Sequence, residues 1–194
     1  PRLYGSAGAV PADVEVSAPR DTEELDSGDF GQTAWYLLLA SRIDPKAALT
    51  ATDGIAGDAY VVFREKDRVC VRADAAGDTP EDLVELDNAL KLWVAQGPEK
   101  SASVVTEGDE VVFRSCDPGE EATDLGTVST DLLGLPVTRT QVYNSVVGQG
   151  GTSDQATCYA EGIIDAFTFE QLLSDFPASE AGTKLIEQTR AGCF

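Results

Sequence analysis

The chain contains no histidine and no methionine among its 194 residues, and only 7% of its residues are aromatic. Without histidine, the usual general base, the usual zinc ligand and the usual partner of a serine or cysteine nucleophile are all missing. Chemistry based on a Ser–Lys pair, on paired carboxylates or on an oxygen-ligated metal remains open. The absence of methionine predicts that the chain begins after a removed signal peptide, a membrane anchor or an artificial boundary.

Long apolar runs and positive charge are also scarce. No apolar run approaches the roughly eighteen residues that a membrane-spanning helix needs, and the longest cluster is AWYLLLA at 34–40. The formal charge is -20, from 34 acidic and 14 basic residues. Such a field repels phosphate backbones, so we expect no nucleic-acid partner. It favours cations or basic partners, or it serves only to keep the protein soluble.

The N-terminal composition predicts an acidic flexible tail or linker over residues 1–29. This stretch is rich in Ala, Gly, Ser, Pro and acidic residues and has no sustained apolar period. Such a composition does not repay the entropy of ordering. Residues 30–194 are predicted to form a single α+β domain, with a hairpin and helix part over 30–117 and a mainly helical part over 118–194.

Within that domain the pattern is helix, hairpin, helix, hairpin and then a helical third. The apolar segment after Phe30 predicts a buried helix, and Asp44 before Pro45 is typical of a helix start. Thr79 and Pro80 open the clearest amphipathic helix. Alternating β-branched runs predict two hairpins, which together give a small antiparallel sheet. The predicted C-terminal helices cover roughly 138–147, 153–167, 168–174 and 179–191.

The four cysteines are an even number in a chain that resembles an exported one, which favours two disulfides. No two lie at metal-site spacing, so a structural zinc site is disfavoured. Three pairings are possible. We favour Cys70–Cys116, because both residues fall in the second strands of the hairpins, and Cys158–Cys193, which bracket the helical third. Each bond is expected to stabilise the fold by roughly 4 kcal/mol in the chain-entropy model.

Candidate chemical motifs are incomplete. Acidic loops offer carboxylates of the type that bind Ca²⁺, without the spacing of a known calcium loop. Paired carboxylates for glycoside hydrolysis are disfavoured by the low aromatic content, and no Ser-x-x-Lys spacing occurs. We therefore assign no catalytic residue, no metal ligand and no cofactor. The carboxylates considered for a cation are Asp53, Asp58, Asp117, Glu120, Glu121 and Asp124.

One short stretch, SDQATCYAEG at 153–162, resembles the second signature of bacterial neutral zinc metallopeptidases, approximately E-x-Q-A-D-C-x-A-G. The matching positions are Gln155, Ala156, Cys158 and Ala160. The resemblance implies a zincin-like scaffold, in which an upstream H-E-x-x-H helix supplies two zinc ligands and the base, and an acidic residue on the second helix completes the site. It also implies an exported or membrane-anchored protein.

The metal-binding positions of that family are not present in this chain. Ser153 and Thr157 stand where the signature has acidic residues, and no H-E-x-x-H is possible without histidine. The upstream segment 137–147 carries Arg and Gln where ligands are needed. The resemblance therefore implies a pseudoenzyme that keeps the scaffold and its disulfide.

Together these features favour a non-catalytic extracytoplasmic binding or interaction domain of a bacterial cell-envelope protein, secreted or anchored at the outer face of the cytoplasmic membrane. Its expected partner is a protein or an envelope component, and its contact with a membrane is expected only through an N-terminal anchor or signal. The acidic, Ala- and Val-rich composition is typical of actinobacterial envelope proteins. The alternative is a hydrolase that uses carboxylates or a bound cation.

Overall fold

The computed structural model describes residues 12–194, which fall into two compact units that meet in sequence between Val128 and Ser129. The first unit contains a five-stranded antiparallel sheet and three helices, and the second is helical. The predicted α+β class is therefore confirmed. In the described part of the chain, no helix is long and apolar enough to cross a membrane.

The sheet of the first unit has the strand order β1-β2-β3-β5-β4, with each neighbouring pair antiparallel. Both predicted hairpins form, as β2–β3 and β4–β5, and β5 joins them by pairing with β3. A turn at Gly108, whose φ of 63° suits glycine, closes the second hairpin. The strands are β1 Glu23–Gly28, β2 Ile55–Glu65, β3 Arg68–Gly77, β4 Ala102–Glu107 and β5 Glu110–Cys116.

The first and third helices of the chain pack on one face of this sheet, which we call the helical face, and the second helix packs against both of them. As predicted, the Asp44 carboxylate caps the second helix and the Thr79 hydroxyl caps the third. Trp35 and Trp93 meet Phe113 of β5 edge to face, with ring centroids 6.1 and 5.4 Å apart. The helices are α1 Gln32–Ala40, α2 Pro45–Thr52 and α3 Pro80–Ala95.

The opposite face of the sheet, the outer face, is partly covered by residues 12–18, and here the predicted tail is wrong. Val16 and Ala18 pack on the cluster of Val61, Phe63 and the first disulfide. The Ala12 amide donates to the Ala56 carbonyl at 3.2 Å. The composition of this segment suggested disorder, but a few alternating apolar residues are enough to order it when they can cover an apolar sheet face that is already formed. Residues 1–11 lie outside the described part of the chain.

Strand β1 is a second departure from the predicted tail. It pairs with β2 at the edge of the sheet although all its residues are exposed. Side chains reinforce the pairing: the Tyr60 hydroxyl donates to Asp26 at 2.8 Å, and Arg64 lies 3.3 Å from Glu23. A strand held by backbone bonds and polar contacts carries no apolar alternation, which is why the sequence pattern did not reveal it.

The Tyr60–Asp26 hydrogen bond makes the attachment of β1 weaker at strongly alkaline pH. The hydrogen bond to Asp26, with smaller contributions from burial and from the Asp26 charge, raises the pKa of Tyr60 above its ordinary value of 10.0. The folded state holds this proton more tightly, so the stabilisation is present below pH 10 and is lost as the pH rises further. Between pH 8 and pH 11 we expect the wild-type melting temperature to fall more than that of Tyr60→Phe. Equal falls would contradict this.

The loop 117–128 belongs to the first unit, so the predicted division at residue 117 falls instead at Val128. Thr127 donates its amide to the Ser41 carbonyl at 2.8 Å, and the Arg42 guanidinium donates to the Leu125 carbonyl at 3.2 Å. Arg42 also stacks on Trp93, 3.6 Å from the ring centroid. Burial lowers the pKa of Arg42, and the nearby Asp124 opposes this.

The second unit packs α4 against α5 and α5 against α7. Capping boxes at Thr152–Gln155 and Thr168–Gln171 begin α5 and α6, and Ser179 caps α7. Helix α4 begins at Gly134 rather than at residue 138, because Pro136 is tolerated in a first turn. Helix α7 continues through Gly192. The helices are α4 Gly134–Gly148, α5 Ser153–Ala166, α6 Phe169–Leu172 and α7 Glu180–Cys193.

The predicted Cys158–Cys193 disulfide is confirmed and ties α5 to the last residue of α7, with Cα atoms 5.8 Å apart. The glycines that precede α5 form a turn, in which Gly150 has a φ of 90°. Within the matched stretch, Ala156 and Ala160 are buried. The residues that resemble the metallopeptidase signature thus serve as cap, packing surface and crosslink.

Candidate functional site

Strand alternation places a set of charged side chains and one disulfide at the same end of the outer face. Residues two apart on a strand share a face, and so do residues directly opposite on neighbouring strands. Phe63 and Glu65 therefore lie on the outer face. The residues opposite them on the neighbouring strands lie on the same face, and so do the residues two positions further along. The cross-strand pairs on this face are Glu65–Arg68, Phe63–Cys70, Cys70–Cys116 and Arg114–Ser103.

Several residues of this set line a cavity of about 270 Å³, which we call the outer-face pocket. Three cationic side chains and a single carboxylate line it, which gives an excess of two positive charges in a chain whose formal charge is -20. The local charge of the pocket is therefore opposite in sign to the charge of the chain as a whole. The lining residues are Glu65, Arg68, Lys100, Ser101, Ala102, Ser103, Arg114 and Cys116.

Glu65 lies between the two guanidinium groups of the pocket. Arg114 Nη2 donates to Glu65 Oε1 at 2.7 Å, and Arg68 Nη2 lies 3.8 Å from Glu65 Oε2. Arg114 is further held over the Phe63 ring, 5.4 Å from the centroid, and its buried Nε has no acceptor among the described residues. One carboxylate therefore offsets only one of the three cations.

Lys100 completes the pocket from the connection between α3 and β4. It is exposed and has a φ of 59°, a conformation that L-residues seldom adopt. The turn at Ser101, whose amide and hydroxyl both donate to the Pro98 carbonyl, fixes this connection. The Lys100 ammonium is thus presented beside the strand that carries Ser103.

Beside the pocket, Arg72 forms a bidentate pair with Asp74. Arg72 Nε donates to Asp74 Oδ1 at 2.9 Å, and Nη2 donates to Oδ2 at 2.5 Å. The hydrogen bond that Arg72 donates to Asp74, together with the Asp74 charge, raises the pKa of Arg72 against the opposing effect of burial. Arg72 faces Arg114 across β3 and β5, and such a like-charge pair is tolerated because each guanidinium has its own carboxylate.

The predicted Cys70–Cys116 disulfide is confirmed, and Cys116 lines the pocket. The two residues are directly opposite and exchange no backbone bonds with each other: the Cys116 amide donates to the Ser101 carbonyl, just before β4, and the Asp117 amide donates to the Val69 carbonyl. Their Cα atoms are 3.9 Å apart. The sheet therefore fixes both sulfurs in register.

The Glu65 carboxylate and both sulfurs lie within 4.8 Å of one another, the single group of three potential metal ligands that the described residues bring together. Metals bind the thiolate rather than a disulfide sulfur. With the bond intact this group is not a metal site.

Of the six carboxylates considered from sequence for a cation, Asp58 and Asp117 serve structural contacts. Asp58 accepts bonds from the Phe30 and Gly31 amides and from Trp35 Nε1. Asp117 accepts from the Gly119 amide. These interactions anchor α1 and shape a turn, and the six carboxylates do not form a metal group in the described structure.

A second cavity of about 250 Å³ lies in the helical unit. The Tyr159 and Phe194 rings meet edge to face with centroids 6.0 Å apart, and Arg190 lies 5.6 Å from the Phe194 centroid. Its lining contains one cation and no carboxylate side chain, so it lacks the charge concentration of the outer-face pocket. It is lined by Ser145, Val146, Gln149, Gly151, Tyr159, Arg190 and Phe194.

Comparison with known proteins gives no relative. No family model, no curated protein and no solved structure matches the chain. A function for this protein therefore has to be argued from the geometry and charge of its own residues.

Proposed function

We propose that the chain is a non-catalytic extracytoplasmic binding domain of a bacterial cell-envelope protein, and that its outer-face pocket receives an anionic group of the partner. The observation that carries the proposal is the gathering of Arg68, Lys100 and Arg114 around one cavity in a chain of charge -20. Guanidinium and ammonium groups are the side chains that recognise carboxylate and phosphate oxygens.

The size of the pocket favours a single anionic group over a whole cofactor. Its volume of about 270 Å³ lies just below the range of roughly 300–1,000 Å³ that is typical of small-molecule sites. Arg68 is half exposed, with 53% of its side chain accessible, so it is available to an incoming ligand. A carboxylate or phosphate on a protein or an envelope polymer matches these dimensions.

The two disulfides support the extracytoplasmic part of the proposal. Disulfides persist in oxidising compartments, which is consistent with a secreted protein. With both bonds formed, the described part of the chain contains no free cysteine. The acidic surface and the absence of histidine are in keeping with a binding role rather than with acid–base catalysis.

Calorimetric titration with a glutamate hexapeptide, a phosphoserine peptide and a matched glutamine peptide at about 0.15 M salt tests this role. We expect the anionic peptides alone to bind. The double variant Arg68→Gln/Lys100→Gln should weaken binding about tenfold or more, since each lost charge-assisted bond costs about 1.5–3 kcal/mol.

Lys66→Gln is the matched control, because Lys66 is exposed in the same hairpin and does not line the pocket. We expect it to change the affinity less than about twofold, as a rim charge does. Equal weakening by the control, or anionic binding untouched by the double variant, would overturn the role of the pocket. The stronger of the two anionic peptides identifies carboxylate or phosphate as the recognised group.

A further inference from the structure

The two sulfurs of the Cys70–Cys116 bond differ in their access to the outer-face pocket. Both cysteines belong to the cluster with Val61 and Phe63, but Cys116 lines the pocket and is 9% exposed, whereas Cys70 does not line it and is 1% exposed. A reagent that enters the pocket therefore meets the Cys116 side of the bond. The side that is attacked determines which cysteine leaves.

The sheet holds its register without this bond. Strands β3 and β5 pair from Cys70–Cys116 to Ala76–Glu110, and each has a second partner strand on its other side. Backbone bonds next to the disulfide, such as that from the Asp117 amide to the Val69 carbonyl at 2.8 Å, do not depend on it. Opening the bond therefore leaves two thiols side by side, ready to close again.

The charges around the pocket select the reagent. Glu65 is bonded to Arg114, lies 3.8 Å from Arg68 and is near both sulfurs, but it is one carboxylate against three cations, so the pocket keeps a net positive field. Cationic neighbours stabilise thiolates and attract anionic thiols. The Cys158–Cys193 bond has a mixed setting, because Asp154 and Glu161 lie one turn away from Cys158 on α5 and Arg190 lies one turn before Cys193 on α7.

We propose that Cys70–Cys116 is an exchangeable disulfide that reacts with small anionic thiols through the outer-face pocket. The incoming thiolate bonds to Cys116 Sγ, the Sγ–Sγ bond breaks, and Cys70 leaves as a thiolate. A second thiolate attacks the mixed disulfide and releases Cys116. Two small thiols are thereby oxidised to their disulfide, the two cysteines are reduced, and the protons pass through water. This inference is independent of the proposed binding role.

The test compares mercaptoethanesulfonate, which is anionic, with neutral 2-mercaptoethanol on the native protein. Alkylation and peptide mass spectrometry follow each disulfide separately, while circular dichroism monitors the fold. We expect the anionic-to-neutral rate ratio at Cys70–Cys116 to exceed that at Cys158–Cys193 about tenfold, with the circular dichroism unchanged. Arg68→Gln/Lys100→Gln should lower the ratio at Cys70–Cys116 and leave the other bond as it was, whereas Lys66→Gln should alter neither.

Two results would overturn the inference. One is opening of Cys70–Cys116 only together with loss of the circular dichroism signal, which would show that reduction requires unfolding. The other is the same rate ratio at both disulfides, or a ratio unaffected by the double variant, which would show that the pocket charges do not act on the reagent.

Discussion

Replacing Asp58 with alanine is expected to destabilise the first unit by about 3–5 kcal/mol, since it leaves the buried Trp35 Nε1 and two partly buried amides without an acceptor, and a buried donor so left costs about 1–3 kcal/mol. Asp58 Oδ1 accepts from the Phe30 amide at 2.7 Å, and Oδ2 accepts from the Gly31 amide at 2.9 Å and from Trp35 Nε1 at 3.0 Å. Trp35 is fully buried, so its Nε1 has no route to solvent in the folded state. One carboxylate thus fixes both the start of α1 and its largest side chain.

Urea unfolding followed by tryptophan fluorescence measures this effect, because both tryptophans, Trp35 and Trp93, belong to the first unit. Asp58→Asn keeps one acceptor oxygen, so its free energy of unfolding should fall less than that of Asp58→Ala. Glu85→Ala removes the same charge from the exposed side of α3 and is expected to change the free energy of unfolding by less than about 0.5 kcal/mol. A loss for Asp58→Ala no larger than for Glu85→Ala would show that the anchor contributes nothing.

Replacing Arg72 with methionine is expected to lower the free energy of unfolding by about 3–5 kcal/mol, since it leaves a buried carboxylate without its partner. The Asp74 side chain is 1% exposed and the Arg72 side chain is 32% exposed. Arg64→Met is the contrasting case, since Arg64 and Glu23 are 47% and 69% exposed and such a pair contributes about 0–1 kcal/mol.

The double variant Arg72→Met/Asp74→Leu separates two contributions to the free energy of unfolding: the stabilisation by the ion pair itself and the destabilisation from leaving Asp74 buried and unpaired. Replacing both partners with apolar groups removes the uncompensated charge, so we expect most of the stability lost in Arg72→Met to return. Unfolding free energies of the two single variants and the double variant give the coupling. If the double variant is the least stable of the three, the burial of Asp74 is not the source of the effect.

The elements with local signals are the ones that sequence reasoning predicted well. Asp44–Pro45 and Thr79–Pro80 predicted the starts of their helices correctly, because capping and the fixed proline φ act within a few residues. The Cys70–Cys116 pairing followed from strand position, since both cysteines fall in strands that one sheet can contain. These predictions needed no knowledge of long-range contacts.

The outer-face pocket was missed because it depends on register. Arg68, Lys100 and Arg114 are far apart in sequence, and a shift of one residue in any hairpin would turn their side chains to the other face. The sequence signal that could have revealed part of the pocket was the favoured Cys70–Cys116 pair. This pair fixes the β3–β5 register and so places Arg72 beside Arg114. Strand β1 and the cover over the outer face were missed because their stability comes from the sheet rather than from their own composition.

The resemblance of residues 153–162 to zinc metallopeptidases stays a prediction, since no family model or solved structure matched the chain to test it. The structure gives each matching position a structural role: Gln155 completes a capping box, Ala156 and Ala160 are buried, and Cys158 is crosslinked. The alternative of a carboxylate hydrolase also stays a prediction.

The most direct test of the anion-binding role is a two-dimensional amide NMR titration of the native protein with the glutamate hexapeptide. We predict that the amides of Arg68, Lys100, Ser101 and Ser103 shift together and saturate with one affinity, that the glutamine peptide leaves them in place, and that the helical unit does not respond. Shifts confined to residues outside the outer-face pocket, or identical shifts with both peptides, would contradict the account.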